Sequence, residues 1–289
     1  MPFAFRTPRV AVLVVCAAAV GLAACGSTTS GGGGSSSPTT SKTTVKTKPG
    51  HDSTSTTTTT TSPMEAPLPQ PTAAQPLTIV EIGDSLGMDL GFGLGDDVFA
   101  TDPYVKIEQD AVGDTGLARP DYYNWPARLE ALLQEYHPGA VVIFLGGNDA
   151  QGFDVNGEAV AYGTPLWFSV YRSRVADMMS EAVAAKVRVL WVGMPIMESA
   201  GFSSEMQQLN AIYAQEATKH PGVTYFSSWP VLATPQGQYT SSLVVHGQTV
   251  LLRDPDGVHL ATGGFDLLAQ ALVAPMEKAW GIKLFPPAG

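Results

Sequence analysis

Cysteine is scarce in this chain of 289 residues: Cys16 and Cys25 are its only two, and both lie near the start. The region beyond them holds no internal disulfide and offers no thiol for chemistry. Basic residues are scarce as well, with 16 Lys and Arg against 26 Asp and Glu. From Leu77 onward 11 basic residues stand against 24 acidic ones, a formal charge of −13. Such a surface repels phosphate backbones and anionic lipid, which argues against nucleic acid as a partner and leaves neutral polysaccharides and small esters open. No cluster of His or acidic residues has metal-ligand spacing, so the sequence calls for no metal and no cofactor. Long apolar runs are missing too. The longest, Val10 to Ala24, has 15 residues, which as a helix spans roughly 22 Å against a hydrocarbon core of ~30 Å.

That short run does suit a secretory signal, since Arg6 and Arg9 precede it and small side chains close it. Residues 1–24 are therefore expected to be a signal peptide. Leu22-Ala23-Ala24-Cys25 resembles the bacterial lipobox, which implies cleavage before Cys25 and a diacylglyceryl group on its thiol, with plain secretion as the alternative. Each buried CH2 of such an anchor contributes ~0.8 kcal/mol, and two chains hold firmly. The expected location is the outer face of the cytoplasmic membrane or the cell envelope, with the membrane as a partner through Cys25. Residues 25–76 are dominated by Gly, Ser, Thr and Pro, including Gly31 to Gly34 and Thr56 to Thr61. A segment of that kind cannot bury a core. It reads as a disordered linker with a coil span of roughly 40 Å and a full reach of about 170 Å.

Residues 77–289 read as one domain. Apolar runs of strand length, Leu77 to Ile82, Tyr104 to Glu108, Val141 to Leu145, Val187 to Val192 and Val223 to Phe226, alternate with helical stretches. The helices fall near Trp125 to Tyr136, Trp167 to Ala185, Ser203 to Lys219 and Gly263 to Trp280. Alternation of this kind predicts an α/β fold, a doubly wound parallel sheet of five strands between helical layers. Ligands of such folds lie at the carboxyl ends of the strands.

Three strand-end or loop segments carry chemistry. Gly83-Asp84-Ser85-Leu86 follows the first strand and sets a serine hydroxyl at a helix start, where backbone N–H groups and the helix dipole favour a developing oxyanion. Taken alone it also reads as a turn with a helix cap. Gly146-Gly147-Asn148-Asp149 follows the third strand and offers a carboxamide donor. Asp256-Gly257-Val258-His259 puts a carboxylate and an imidazole in one short loop, an arrangement that orients a ring for proton abstraction. Of the other histidines, His51 lies in the linker, His137 and His220 at helix ends before prolines, and His246 in a loop.

GDS near the domain start, a glycine block, GxND in the middle and DxxH near the end resemble, in that order, the blocks of the SGNH (GDSL) hydrolases. The similarity runs over roughly residues 77–280. Segments such as Gly163-Thr164-Pro165-Leu166-Trp167 and Trp191-Val192-Gly193-Met194-Pro195 are similar to an exported bacterial subgroup described as a domain of unknown function. The resemblance implies a flavodoxin-like SGNH hydrolase fold with Ser85 as nucleophile, His259 as base and Asp256 as its orienting carboxylate. It further implies an oxyanion hole from Ser85, the glycine of the second block and Asn148. That glycine is Gly116 or Gly113, with Gly116 the better match. Asp84, Asp149 and Arg253 are candidates for support behind the site. Trp125, Trp167, Tyr171 and Trp229 are candidates for a sugar-stacking floor, although aromatics at helical spacing more often belong to the core.

The expected activity is removal of small acyl groups from esters, with an acylated cell-envelope glycan as the expected partner. One alternative is an O-acyltransferase that uses the same acyl-enzyme. Another is an envelope-binding lipoprotein without turnover, against which the intact set of Ser85, Asn148, Asp256 and His259 speaks.

Overall fold

Strand β1 (Leu77–Gly83) alternates Thr, Val and Ile and is buried along almost its whole length, as a strand covered on both faces must be. It is the centre of a computed structural model that describes Met64 and residues 66–285. The expected signal peptide, the expected lipidation site Cys25 and most of the expected linker lie outside the described residues. β1 pairs in parallel with β2 (Val105–Ala111) on one side and β3 (Ala140–Phe144) on the other. β6 (Arg188–Gly193) and β7 (Val223–Ser227) continue the sheet, giving the order β2-β1-β3-β6-β7 with all strands parallel.

Helix α1 (Ser85–Phe92) follows β1 and runs on into a π-helical segment at Gly93–Val98. α1 packs with α5 (Thr262–Trp280), while α2 (Trp125–Tyr136), α3 (Pro165–Ala184) and α4 (Ala200–Ala217) pack one on the next. Asn124, Thr164 and Ser199 cap α2, α3 and α4 by accepting the N–H of Ala127, Trp167 and Phe202. The sequence thus predicts the sheet and four helices to within a few residues. It places a helix start at Ser85 without giving that helix an end, and it does not anticipate two small hairpins, β4 (Phe153–Val155) with β5 (Glu158–Val160) and β8 (Ser242–Val245) with β9 (Gln248–Leu251). None of the described helices is long and apolar enough to cross a membrane.

The ordered fold begins earlier than composition suggests. Leu68 donates its N–H to Trp280 O at 2.8 Å, and Lys283 donates its N–H to Gln70 Oε1 at 2.9 Å. The Arg188 guanidinium donates to Ala66 O. Residues 66–76, assigned above to the linker, therefore lie along the domain, because their prolines still leave carbonyls and Leu68 available to pair and pack.

The chain enters β1, crosses to β2 on one edge and returns to β3 on the other side of β1. That reversal opens a crevice at the carboxyl ends of β1 and β3, where a doubly wound sheet has no covering loop.

Candidate active site

Ser85 stands at the crevice because β1 ends in Gly83 and α1 starts two residues later. A side chain at Gly83 would collide with the backbone at Phe144 and Gly87, so only glycine lets the helix start so close to β3. Asp84 is fully buried and caps α1 through Leu86 N–H at 2.9 Å. The same carboxylate accepts the N–H of Gly146 at 2.9 Å and of Gly147 at 2.6 Å. It thereby bolts the serine turn to the loop after β3. Burial pushes this carboxyl above its usual range, against the pull of those backbone N–H groups.

His259 arrives from the far end of the sequence. Its Nε2 lies 2.8 Å from Ser85 Oγ, and its Nδ1 lies 2.5 Å from Asp256 Oδ2. Asp256 also accepts the N–H of Val258 at 2.9 Å and of His259 at 3.0 Å, so the carboxylate is fixed by the loop it orients. The loop closes on itself through Asp254 N–H to His259 O at 3.0 Å and Gly257 N–H to Asp254 O at 3.0 Å. Gly257 has φ 71°, a left-handed turn suited to glycine. Burial disfavours the charged ring, but the bond to Asp256 and the nearby carboxylates outweigh it and hold the His259 pKa above its usual value. Burial likewise pushes Asp256 up, yet the His259 bond and the two N–H groups bring it below its usual range.

On the opposite side of the crevice, Asn148 donates one amide hydrogen to Thr115 O at 3.0 Å. The amide carries two hydrogens, so the second is available to an oxyanion. Gly116 sits against the Asp149 carboxylate so closely that a Cβ there would overlap it, whereas a Cβ at Gly113 would meet nothing within 4 Å. The backbone at 116 therefore needs glycine and that at 113 does not. Asp149 is buried, accepts Ala118 N–H at 2.7 Å and accepts the Tyr171 hydroxyl at 2.6 Å. It thus pins the glycine block beside Asn148. Burial raises its pKa to about 6.

Arg253 is 1% exposed and donates to Ile196 O at 2.7 Å and Val258 O at 3.3 Å, tying the histidine loop to the segment after β6. Burial lowers its pKa to about 10. Three of the four aromatics considered for a sugar floor are instead fully buried: Trp125, Trp167 and Tyr171. Their polar atoms hold the site loops from behind, Trp125 Nε1 donating to Thr115 Oγ1 at 3.1 Å and Trp167 Nε1 to Gln151 O at 2.7 Å. Trp229 alone remains partly exposed. The periodicity that put them on helix faces is the reason they belong to the core.

Sequence reasoning missed Asp89. One helical turn beyond Ser85, its carboxylate accepts Leu260 N–H at 2.9 Å and so fastens the histidine loop to the helix that carries the serine. Burial raises its pKa to about 6. Its i,i+4 spacing from Ser85 was a visible signal, but its partner is 171 residues away. Among the described residues no group of three or more His, Cys, Asp or Glu side chains could hold a metal ion.

The family described as "Protein of unknown function (DUF459)" matches residues 78–275. No curated protein sequence matches. Among solved structures, a GDSL-like lipase from Bacteroides thetaiotaomicron is 18% identical, with 73% of this chain and 93% of that one aligned at a TM-score of 0.51. The periplasmic domain of a lipopolysaccharide acetyltransferase from Salmonella ser. Paratyphi A is 16% identical, with 70% and 84% aligned at a TM-score of 0.50. At these identities the likeness is one of fold, and the fold is that of the SGNH hydrolases.

Proposed function

Because this chain belongs to the DUF459 family, whose function is unknown, we propose its activity from its site: it is a serine esterase that removes small O-acyl groups by way of an acyl-enzyme. The observation that carries the proposal is the relay from Ser85 Oγ through His259 to Asp256, at 2.8 and 2.5 Å.

Ser85 Oγ attacks the ester carbonyl carbon while His259 Nε2 takes its proton. Negative charge then gathers on the former carbonyl oxygen, facing the N–H groups of Ser85 and Gly116 and the Asn148 amide. Collapse of that intermediate breaks the ester C–O bond, and the alcohol leaves with the proton held by His259. Water repeats the sequence on the acyl-Ser85 ester, giving the acid and the free serine. Asp256 keeps Nδ1 protonated, so that Nε2 is the basic nitrogen, and stabilises the imidazolium while it exists.

Cys25 as a lipidation site after an exported signal, and the span 25–65 as a leash, belong to the same proposal, with a cell-envelope glycan carrying the ester. The support is the lipobox-like tetrad and the composition of the linker. A second reading is transfer of the acyl group to a sugar hydroxyl in place of water. The Salmonella structure is that of an acetyltransferase domain, and the acyl-enzyme serves both outcomes.

The test is acetate release from 4-nitrophenyl acetate by the protein from residue 64 onward, wild type against Ser85→Ala. Loss of release in the variant is expected; equal rates overturn the assignment. A glycan acceptor added to the wild type separates hydrolysis from transfer by the acylated sugar formed.

A further inference from the structure

A cleft of about 400 Å³ is lined by the chain that follows the Gly116 and Asn148 loops, and the chemistry above makes no use of it. Arg119 and Asp121 line one wall; Gly152, Phe153 and Asp154, with Val160 of the paired strand, line the other. The first wall starts three residues beyond Gly116 and the second four beyond Asn148. Each wall is therefore a direct continuation of an oxyanion loop.

Both walls are held in place. Gln151 donates its amide to Asn148 O at 2.5 Å, and Trp167 holds Gln151 O while its ring stacks on Phe153 with centroids 5.5 Å apart. The Arg174 guanidinium lies 4.2 Å from the centre of the Phe153 ring and donates to Leu117 O at 3.0 Å and Ala118 O at 2.8 Å. One side chain thus fastens the two walls together. The β4–β5 hairpin turns at Asn156 and Gly157, both at positive φ, which fixes its length and register.

The chemistry of the lining selects the occupant. Arg119 meets Asp121 through Nε to Oδ1 at 2.9 Å and Nη2 to Oδ2 at 2.7 Å, a fork that presents donors and acceptors side by side with no net charge. Asp154 adds a carboxylate, so the cleft as a whole disfavours an anion. The edges of Phe153 and Val160, each 6% exposed, and the side chains of Ala159 and Ala161 add a modest apolar surface. A neutral ring with several hydroxyls satisfies both halves, because each hydroxyl donates and accepts. The volume falls at the lower end of the usual range for small-ligand sites, enough for one sugar ring and too little for a long acyl chain laid beside it.

We propose that this cleft binds the sugar ring on the alcohol side of the ester, with Arg119 and Asp121 recognising its hydroxyls. The proposal rests on the esterase reading for its place in the reaction but not for its binding. It is tested first with Ser85→Ala protein, which cannot turn over, and methyl 6-O-acetyl-α-glucopyranoside as the probe. Saturation-transfer NMR is expected to show the ring protons in contact with the protein, and Arg119→Ala in that background is expected to weaken binding about tenfold, as for the loss of one charged hydrogen-bond pair. Asp121→Asn, an exposed and nearly isosteric change, is expected to weaken it about threefold. In the active protein, the ratio of kcat/KM for the glucoside to that for 4-nitrophenyl acetate is expected to fall about tenfold in Arg119→Ala. Glucoside binding and a substrate ratio within twofold of wild type in both variants overturn the proposal. Failure of wild type to hydrolyse either ester, with Arg119-dependent binding intact, overturns the esterase reading and leaves the cleft as a sugar site.

Discussion

Replacing Asp89 separates two things its carboxylate does for His259. As a tether it accepts Leu260 N–H at 2.9 Å, and as a charge it helps raise the His259 pKa. Asp89→Asn keeps an acceptor oxygen in the same place and removes the charge; Asp89→Ala removes both. Without an acceptor the part-buried Leu260 N–H is orphaned, at about 1–3 kcal/mol. If that appears as His259 leaving its place beside Ser85, kcat/KM at the plateau falls between about 5-fold and about 150-fold in Asp89→Ala. Asp89→Asn is expected to stay within about threefold of wild type there, since its tether survives. The charge effect has a definite sign. His259 works as the neutral base, so activity appears as pH rises through its folded pKa, which its carboxylate neighbours hold above the usual imidazole value. Losing a nearby anion lowers that pKa, and the acid limb moves to lower pH in both variants. The same linkage makes the folded state's gain from His259 complete below its unfolded pKa and lost as pH rises through the folded one. The assay is kcat/KM for 4-nitrophenyl acetate from pH 4.5 to 9. An alanine variant with wild-type plateau activity, or limbs that do not move, refutes the tether and the charge respectively.

Other changes probe the surrounding frame. Asn148→Ala is expected to lower kcat about a hundredfold, ~3 kcal/mol, with KM little altered, as measured by steady-state kinetics. Asp84→Ala leaves the N–H groups of Leu86, Gly146 and Gly147 without their acceptor and is expected to destabilise the fold by at least ~3 kcal/mol in urea unfolding. Glu81 is fully buried on β1, neither carboxylate oxygen has a hydrogen-bond partner, and burial together with Asp84 and Asp110 raises its pKa. A carboxyl whose folded pKa is raised favours the folded state while protonated, so stability falls as pH rises above its unfolded value. The drop in Tm between pH 5 and pH 8 is expected to be smaller in Glu81→Gln than in wild type.

The sequence displays its strands because β1, β3 and β6 are short apolar runs, rich in Val or Ile and buried on both faces, while the edge strands β2 and β7, only partly buried, still carry β-branched and aromatic residues. It marks the start of α1 at Ser85 but not its extent, because Gly87, Gly91, Gly93 and Gly95 interrupt the helical pattern. Those glycines are explained only by what lies against them: a Cβ at Gly91 would press on Glu81 and Gln109, and one at Gly93 on Phe265 O. The β4–β5 hairpin is different, since Asn156-Gly157 between Val155 and Val160 is a local turn signal that was there to be used. Ser85, Asn148, Asp256 and His259 are legible from motif order, and the support groups are less so. Asp89 and Tyr171 look like ordinary helix residues until Leu260 and Asp149 fold against them. The aromatics show the limit from the other direction, because Trp125 and Trp167 have the composition of a binding floor and the burial of a core.

The relay between Ser85 and His259 is tested most directly by reaction with a fluorophosphonate ester followed by intact-mass and peptide analysis. One phosphonyl group per protein on Ser85 is predicted, absent in Ser85→Ala and slowed ~1000-fold or more in His259→Ala. Labelling of a different residue, or equal labelling of wild type and Ser85→Ala, contradicts the account.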